Sequence, residues 1–322
     1  FWCVVQVEAS KGILSAMPSP SDFVPGHLFC FGLGYTCGRL AKLLLKQGWR
    51  VSGTTRSEEG LSVLRQDGIG AWLFGGNAGD MLDKAAFSDV THVIASIPPG
   101  EEGDPALTKQ PDWRSSAPLL RWVGYLSTPA VYGDRGGAFV HEDDDPNPGS
   151  ARGARRLAAE RAWVSAFEDT DVSVQVFRLS GIYGPGRSAI DQLRGGKARI
   201  IDKPGQVFNR IHVDDIGTIL MASIQRPHHG RIYNVADDEA CPSGDVIRYA
   251  AELLDMEPPE PIPFDSAELS PMARSFYSEC KRPRGSSPSL VSSWHTPPTG
   301  KGCAVFLTMR ELPRRANGQV RT

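Results

Sequence analysis

The segment His27–Leu45, HLFCFGLGYTCGRLAKLLL, predicts a short buried strand that leads through a glycine-rich turn into a helix. The apolar run LFCF forms the strand, and the leucines of RLAKLLL recur at helical spacing. Gly32 and Gly34 permit a tight turn, where main-chain N–H groups and the positive end of the helix dipole can receive a diphosphate. The spacing to Gly38 is one residue longer than in the usual dinucleotide fingerprint. Since an ordinary glycine-rich turn has the same composition, the rest of the chain must decide between the two interpretations.

Strands and helices alternate along the next part of the chain. The predicted strands cover residues 50–53, 71–74, 90–96, 122–127 and 172–179, and the predicted helices cover 58–66 and 150–167. Alternation at this spacing implies right-handed strand–helix–strand units and a parallel sheet. We therefore predict an α/β protein with a doubly wound parallel sheet, a Rossmann fold, that binds its ligand at the carboxyl ends of the strands.

The pattern becomes less regular after residue 180, which sets the predicted domain boundaries. A dinucleotide-binding Rossmann domain is expected over residues 27–180 and a smaller C-terminal substrate lobe over 181–281, with a helix at 245–254 that Ser243 could cap. Residues 1–26 are expected to be an unstructured or artefactual extension. Residues 282–322, rich in Pro, Ser, Gly and Arg, are expected to be disordered.

Composition excludes several classes of protein. The chain of 322 residues has a formal net charge of -2, which argues against a general nucleic-acid binder. Its six cysteines form no C-x-x-C pair and favour a reducing, cytoplasmic location. No apolar run approaches the ~20 residues of a membrane span, and no spacing of His, Cys, Asp and Glu indicates a metal site.

The turn after the second predicted strand bears on the choice of cofactor. A pocket for NAD usually has an acid there, which bonds the ribose 2′-hydroxyl. This chain has Thr54, Thr55, Arg56 and Ser57 instead. Because no carboxylate repels a 2′-phosphate and a guanidinium can bind it, we expect NADP, with NAD possible. A solvent-facing Arg56 in a polar loop is the alternative.

Further motifs follow the predicted strands, beginning with YLSTPAVYGD at Tyr125–Asp134. Others in the same pattern are Gly32, Gly34 and Tyr35; Arg178 and Leu179; Ile182–Gly186; Arg210; His212–Asp215; and Tyr233–Val235. With these residues the chain resembles an atypical branch of the extended short-chain dehydrogenase/reductase superfamily, the NAD-dependent epimerases and dehydratases. The resemblance covers roughly residues 27 to 281.

The resemblance implies a site in which a Ser or Thr, a Tyr and a Lys hold the reacting group near the nicotinamide. Thr128 matches the Ser or Thr. Counting back from Glu160 puts Arg156 at the Lys position and Arg152 at the Tyr position, so the usual Tyr-x-x-x-Lys pair is missing. Arginine stays protonated and only donates hydrogen bonds, so Arg152 cannot be the general base.

Other residues are candidates for the missing roles. Tyr132, Tyr183 and His141 are replacement acids or bases, although each is also explained as a structural residue. Arg156 is a candidate for cofactor binding. Arg152 is a candidate for substrate binding, and a solvated helix face explains both arginines equally well. Arg210 lies where the family often binds a substrate phosphate, and a salt bridge to Asp214 or Asp215 is the alternative.

Two functions follow from these observations. The first is an NAD(P)-dependent epimerase/dehydratase-like oxidoreductase that acts on a small polar or nucleotide-sugar-like substrate, with Thr128 and Tyr132 as catalytic contacts and Gly32, Gly34, Tyr35, Thr55, Arg56 and Arg156 at the cofactor. The second is a non-catalytic NADP-binding sensor or scaffold protein. Apolar Leu157, Trp163 and Phe167 on the long helix suggest a homodimer.

Overall fold

The computed structural model describes residues 24–75, 81–109 and 112–285. The strands are β1 (His27–Phe31), β2 (Arg50–Thr55), β3 (Gly70–Leu73), β4 (His92–Ala95), β5 (Trp122–Ser127), β6 (Phe139–Val140), β7 (Ser173–Leu179), β8 (Gly181–Tyr183), β9 (Ile200–Asp202), β10 (Arg210–His212), β11 (Ile232–Val235), β12 (Pro261–Pro263) and β13 (Arg282–Pro283). The helices are α1 (Tyr35–Leu45), α2 (Glu58–Gln66), α3 (Pro105–Thr108), α4 (Trp113–Ser116), α5 (Ala151–Ala166), α6 (Ala189–Arg194), α7 (Val213–Gln225), α8 (Ser243–Leu254) and α9 (Pro271–Phe276).

A parallel seven-stranded sheet in the order β11-β7-β5-β4-β1-β2-β3 forms the centre of the protein. β1 lies in the interior of this sheet, between β4 and β2. The strand order reverses direction next to β1, which is the arrangement of a doubly wound Rossmann fold. The predicted fold class is therefore confirmed.

Alternating side chains of β1 supply both hydrophobic layers. Leu28 and Cys30 pack on the side of the sheet covered by α1 and α7, whereas Phe29 and Phe31 join an aromatic cluster on the other side. In an extended strand successive side chains point to opposite faces. A strand buried on both faces is accordingly apolar at nearly every position, as LFCF is.

The second lobe is interleaved with the central sheet. β8 pairs with β10, β9 pairs with β12, and α6 packs on α8, all after residue 180. β11, which also follows residue 180, returns to the sheet edge beside β7. α8 begins at Ser243 itself with Pro242 as its N-cap and no capping side chain, so the predicted Ser243 cap is wrong.

The first residues of the expected disordered tail are ordered. Arg282 and Pro283 form β13 and pair with Phe139 and Val140 of β6 in a parallel two-stranded sheet. The expectations for residues 1–23 and 286–322 lie outside the described residues.

The apolar residues that suggested a dimer are mostly internal. Trp163 is fully buried, stacks on Phe167 at a ring distance of 6.2 Å and contacts Trp113. Only Leu157 is partly accessible, and it packs on Val131 and its neighbours. α5 therefore does not present the apolar face that motivated the prediction, and the dimer itself stays a prediction.

Candidate functional site

The glycine turn is held from one side and open on the other. Gly32 has φ +84, and its N–H donates to Oγ1 of Thr54 at 2.8 Å. The Leu33 N–H donates to the Thr54 carbonyl at 2.8 Å. A methyl group added at Gly34 or Gly38 would meet no atom within 4 Å. The first turn of α1 thus leaves open space beside its backbone.

This open helix end fits the diphosphate of a dinucleotide. Gly34 is the N-cap of α1 and no side chain caps the helix, whose first turn also contains no acid. N–H groups at such an end carry partial positive charge and bind anions. A diphosphate in this position would satisfy both the unused donors and the helix dipole.

The end of β2 lies beside this turn and carries the residues predicted to select the cofactor. Thr55 is half-buried, Arg56 is exposed, and Ser57 caps α2 by accepting the Gly60 N–H at 3.1 Å. The cap fixes the direction in which the chain leaves the strand. The Arg56 guanidinium is therefore attached to a rigid strand–helix junction.

A cavity of about 1470 Å³ opens at the carboxyl ends of β4, β5 and β7 and extends to the second lobe. It brings together five of the predicted candidates, which are Thr128, Arg152, Arg156, Tyr183 and Arg210. It also includes residues that the sequence did not single out, among them Ser96, Arg187, Asp237, Tyr277 and Lys281. Its position is that of a ligand crevice in an open α/β sheet.

Thr128 lies on the cavity wall directly after β5. It is the N-cap of the 3-10 turn Pro129–Tyr132, and its Oγ1 accepts the Ala130 N–H at 3.3 Å. A threonine hydroxyl that accepts in this way still has a proton to donate. The preceding Ser127 also lines the cavity, but it is buried and its hydroxyl bonds to Glu160, so the Thr128 hydroxyl is the more accessible of the two.

The two arginines of α5 differ in their surroundings. Arg156 is 8% exposed and donates to the Leu126 carbonyl at 2.7 Å and to the Tyr125 hydroxyl at 3.3 Å. Arg152 is exposed, and its guanidinium lies 5.7 Å from the ring centre of Phe276. Arg156 is consequently a fixed cation at the end of β5, whereas Arg152 can reorient toward a ligand.

Tyr132 lies outside the cavity, and its predicted role as a catalytic contact is not supported. It is fully buried, and its hydroxyl donates to Oδ1 of Asn234 at 2.9 Å. The Arg178 guanidinium lies 4.6 Å from its ring centre and is itself paired with Glu160 at 2.7 Å. A phenol enclosed in this network has no access to a substrate. His141 does not line the cavity either.

On the second-lobe side the cavity contains Arg210 and an acid. Arg210 donates to the Phe208 carbonyl at 3.2 Å, and its charge faces Asp237. Asp214, one of the two alternative partners considered for Arg210, is paired with Arg39 at 2.7 Å. Burial raises the pKa of Asp237 to about 7. Asp237 follows β11 by two residues, and residues that follow a parallel strand lie at the ligand edge, so this signal was present in the sequence.

Tyr35 connects the glycine turn to the second lobe. Its hydroxyl donates to the Pro185 carbonyl at 3.1 Å, and the Arg187 guanidinium lies 4.4 Å from its ring centre. These contacts cross the region between α1 and the segment that follows β8. The predicted cofactor residue Tyr35 thus closes one side of the crevice.

Two kinds of feature are absent from the part of the chain that the structure describes. No described helix is long and apolar enough to cross a membrane. Within the same residues, no group of three or more His, Cys, Asp or Glu side chains is arranged to hold a metal ion.

Comparison with known proteins connects this geometry to a family. Residues 32–236 match the NAD dependent epimerase/dehydratase family. The curated protein YeeZ of Escherichia coli is 29% identical over 238 residues, which cover 71% of this chain and 84% of that protein.

Two solved structures extend the comparison. A functionally unknown conserved protein from Silicibacter pomeroyi DSS is 46% identical, with a TM-score of 0.73 over 80% of this chain and 89% of that one. The structure of MoeE5 in complex with UDP-glucose and NAD gives a TM-score of 0.63 over 83% of this chain and 91% of that one. At 21% identity, the second likeness supports the fold alone.

Proposed function

We propose that this chain, which belongs to the NAD dependent epimerase/dehydratase family, binds NADP at its glycine turn and interconverts a hydroxyl and a carbonyl group on a small polar or nucleotide-sugar-like substrate. The family supports the general class of reaction. The substrate and the preference for NADP are our proposals for this chain.

The observation that carries the proposal is the cavity at the carboxyl ends of β4, β5 and β7. It reaches Thr36 in the first turn of α1 and ends among cationic side chains of the second lobe. The predicted cofactor residues Gly32, Gly34, Tyr35, Thr55 and Arg56 do not line it. A cavity of about 1470 Å³ exceeds the ~300–1,000 Å³ of a typical small-molecule site. It therefore has room for a substrate in addition to part of a cofactor.

The residues of the cavity would act by binding and orienting. The Thr128 hydroxyl donates a hydrogen bond to the reacting oxygen of the substrate. Arg152 and Arg210 bind an anionic group of the substrate, since a guanidinium suits carboxylate and phosphate oxygens. Arg156 maintains positive charge near the carboxyl end of β5. The nicotinamide, when bound, supplies the hydride acceptor or donor.

Arg56 would supply the preference for NADP. One charge-assisted hydrogen bond to a 2′-phosphate is worth ~1.5–3 kcal/mol, which corresponds to roughly a tenfold to hundredfold difference in affinity. The competing cofactor NAD lacks this phosphate. Its ribose hydroxyl finds no carboxylate at positions 54–57.

Titration of the purified protein with NADPH and NADH, followed by nicotinamide fluorescence, tests the cofactor proposal. We expect NADPH to bind more tightly and Arg56→Ala to weaken NADPH about 10- to 100-fold with little effect on NADH. Arg161→Ala is the matched control, because Arg161 is an exposed arginine of α5 outside the cavity. Tighter binding of NADH by the wild type would contradict the proposal.

A non-catalytic NADP-binding sensor or scaffold is the second candidate. The position that matches the family's tyrosine is Arg152, and Arg156 is engaged with the Leu126 carbonyl. A turnover screen with nucleotide sugars and small carbonyl compounds separates the two functions. For an enzyme, Thr128→Ala should lower turnover about 10- to 100-fold, since it removes one hydrogen bond to a reacting oxygen. A protein that binds NADPH but converts no substrate would be the sensor.

A further inference from the structure

Asp237 lies on the cavity wall with its carboxylate held by two neighbouring strands. Its N–H donates to the Arg210 carbonyl at 2.6 Å. Its carboxylate accepts the backbone N–H of His212 and the hydroxyl of Tyr183. These donors belong to β10 and β8, so the side chain has a defined direction although it follows the edge strand β11.

Charged groups from several elements face this carboxylate. Asp215 on α7 and the neighbouring Asp238 repel its negative charge, and the Arg210 guanidinium on β10 attracts it. Arg210 in turn also faces Tyr183, Tyr277 and Asp245. Burial has the largest effect and raises the pKa of Asp237 to about 7. A carboxyl group in this state exchanges its proton within the neutral range, where general acid–base catalysis is most efficient.

The other charged residues of the described cavity wall are less suited to accept a proton. Arg152 and Arg156 only donate hydrogen bonds. Glu279 is paired with Lys281 at 2.5 Å, and Asp238 and Glu239 are exposed to solvent.

His212 is not suited to accept a proton from a substrate either. The ring of His212 packs edge-on against Tyr183 at 5.2 Å, and its Nδ1 accepts the Asp214 N–H at 3.2 Å. It caps α7 and is buried behind the Tyr183 ring. The acidic residue in front of it, Asp237, has direct access to the cavity.

We propose that Asp237 is the proton acceptor and donor of this cavity, in the role for which the family uses the tyrosine that Arg152 replaces here. The inference deepens the proposed function and rests on it. When a substrate alcohol is oxidised, its carbon-bound hydrogen leaves with two electrons for the nicotinamide, and its hydroxyl proton passes to a carboxylate oxygen of Asp237. The products are a carbonyl compound, a reduced cofactor and a neutral Asp237 side chain, and the reverse reaction returns the proton. Tyr183 is a positioning residue, since its hydroxyl holds and tunes that carboxylate.

Asp237→Asn in the full-length protein tests this role, with Asp169→Asn as the matched control. Asparagine keeps the shape of the side chain but cannot accept the proton, so kcat should fall about 10²- to 10⁴-fold while the affinity for NADPH is retained. Asp169→Asn removes an exposed negative charge in the turn after α5, outside the cavity, and should leave kcat near the wild-type value. Equal kcat for Asp237→Asn and the wild type would overturn the proposal.

Infrared difference spectroscopy of the same variants gives a readout that does not depend on turnover. The wild type should show a carboxylic acid band that disappears as pH rises through about 7 and is missing in Asp237→Asn. Tyr183→Phe removes a donor to the carboxylate, so the band should persist to higher pH. Absence of such a band above pH 5 would also overturn the proposal. A wild type with the band but without turnover on any substrate would instead refute the proposed function.

Discussion

At the scale of single residues, two buried histidines set an acid limit to stability. His27 on β1 bonds the Ser52 hydroxyl at 2.6 Å and Asp89 at 2.9 Å, and burial together with the nearby Arg50 charge lowers its pKa to about 4. His92 on β4 is also buried, and its pKa is lowered to about 3. Both rings are therefore neutral in the folded protein well below pH 6.

The free energy of unfolding should consequently decrease as pH falls from 6.5 toward 4. Both histidines have the ordinary pKa of 6.5 in the unfolded chain. In this pH window the unfolded chain therefore binds protons at His27 and His92, whereas the folded protein does not. Each histidine contributes ~1.4 kcal/mol per pH unit. Urea denaturation at pH 7, 6 and 5 measures the slope.

The variant His92→Gln isolates one of these contributions. Glutamine does not titrate, so the slope between pH 6 and 5 should decrease by ~1.4 kcal/mol per pH unit relative to the wild type. Other titrating groups are common to both proteins and cancel in the comparison. An unchanged slope would show that His92 is protonated equally in the folded and unfolded states.

Some residues of the cavity wall could be predicted from the sequence. The prediction failed for side chains whose direction depends on a partner far away in the chain. Thr128 and Arg156 were found through the family resemblance, by a match to the Ser or Thr and by counting back from Glu160, and both line the cavity. Tyr132 was assigned to the cavity, but its direction is set by Asn234, 102 residues away. Asp237 follows a strand, which is a signal that the sequence carries, but only the pairing of β11 with β7 shows that this strand ends at the same crevice.

At the scale of elements, the turn between β1 and α1 assigns different tasks to its glycines. Gly32 has φ +84, and an added methyl group would lie 3.2 Å from Cγ1 of Ile97. Gly34 has φ -95 and open space around it. Gly32 permits the left-handed backbone conformation of the turn, and Gly34 keeps the N-terminal end of α1 accessible.

The variants Gly32→Ala and Gly34→Ala should separate these tasks. Gly32→Ala should lower the free energy of unfolding by ~1–2 kcal/mol, since a left-handed conformation is costly for alanine. Gly34→Ala should cost only ~0.5–1 kcal/mol as a poorer N-cap, yet weaken NADPH at least about tenfold, equal to ~1.4 kcal/mol of binding. Thermal denaturation and fluorescence titration measure the two effects. Wild-type affinity in Gly34→Ala would mean that the diphosphate does not approach this helix end.

The bounds of a strand or helix could be predicted where its own sequence has a clear apolar pattern. β5 and α2 have the predicted bounds, because a continuous apolar run and an amphipathic stretch define them. The bounds of the short strands β8, β10 and β13 were not predicted from the sequence. Strands of two or three residues carry too little pattern of their own, because pairing with a partner strand defines them. The end of α8 nearest Ser243 differs for a similar reason, as Ser243 contacts Tyr277 at 3.5 Å instead of capping.

At the scale of the whole molecule, the segment 277–283 connects the two sides of the cavity. The Lys281 ammonium donates to the Gly133 carbonyl at 2.6 Å, and the Cys280 N–H donates to Asp134 at 2.7 Å, both in the loop after β5. From the second lobe, Asn209 donates to the Lys281 carbonyl at 2.7 Å. This segment therefore fixes the position of the second lobe relative to the end of β5.

Truncation of the chain tests whether the described residues are sufficient for the cavity. Among the described residues, Pro283 is the last that lines it, so we expect a chain that ends after Gly285 to retain the wild-type affinity for NADPH and the wild-type Tm. A chain that ends after Phe276 loses the bonds from Lys281 and Cys280 as well as the partner strand of β6. Since buried donors and acceptors are then left unpaired, at ~1–3 kcal/mol each, its Tm should fall by at least several degrees. Nicotinamide fluorescence and calorimetry on both chains provide the comparison, and equal stability of the two would show that the segment 277–285 does not hold the lobes together.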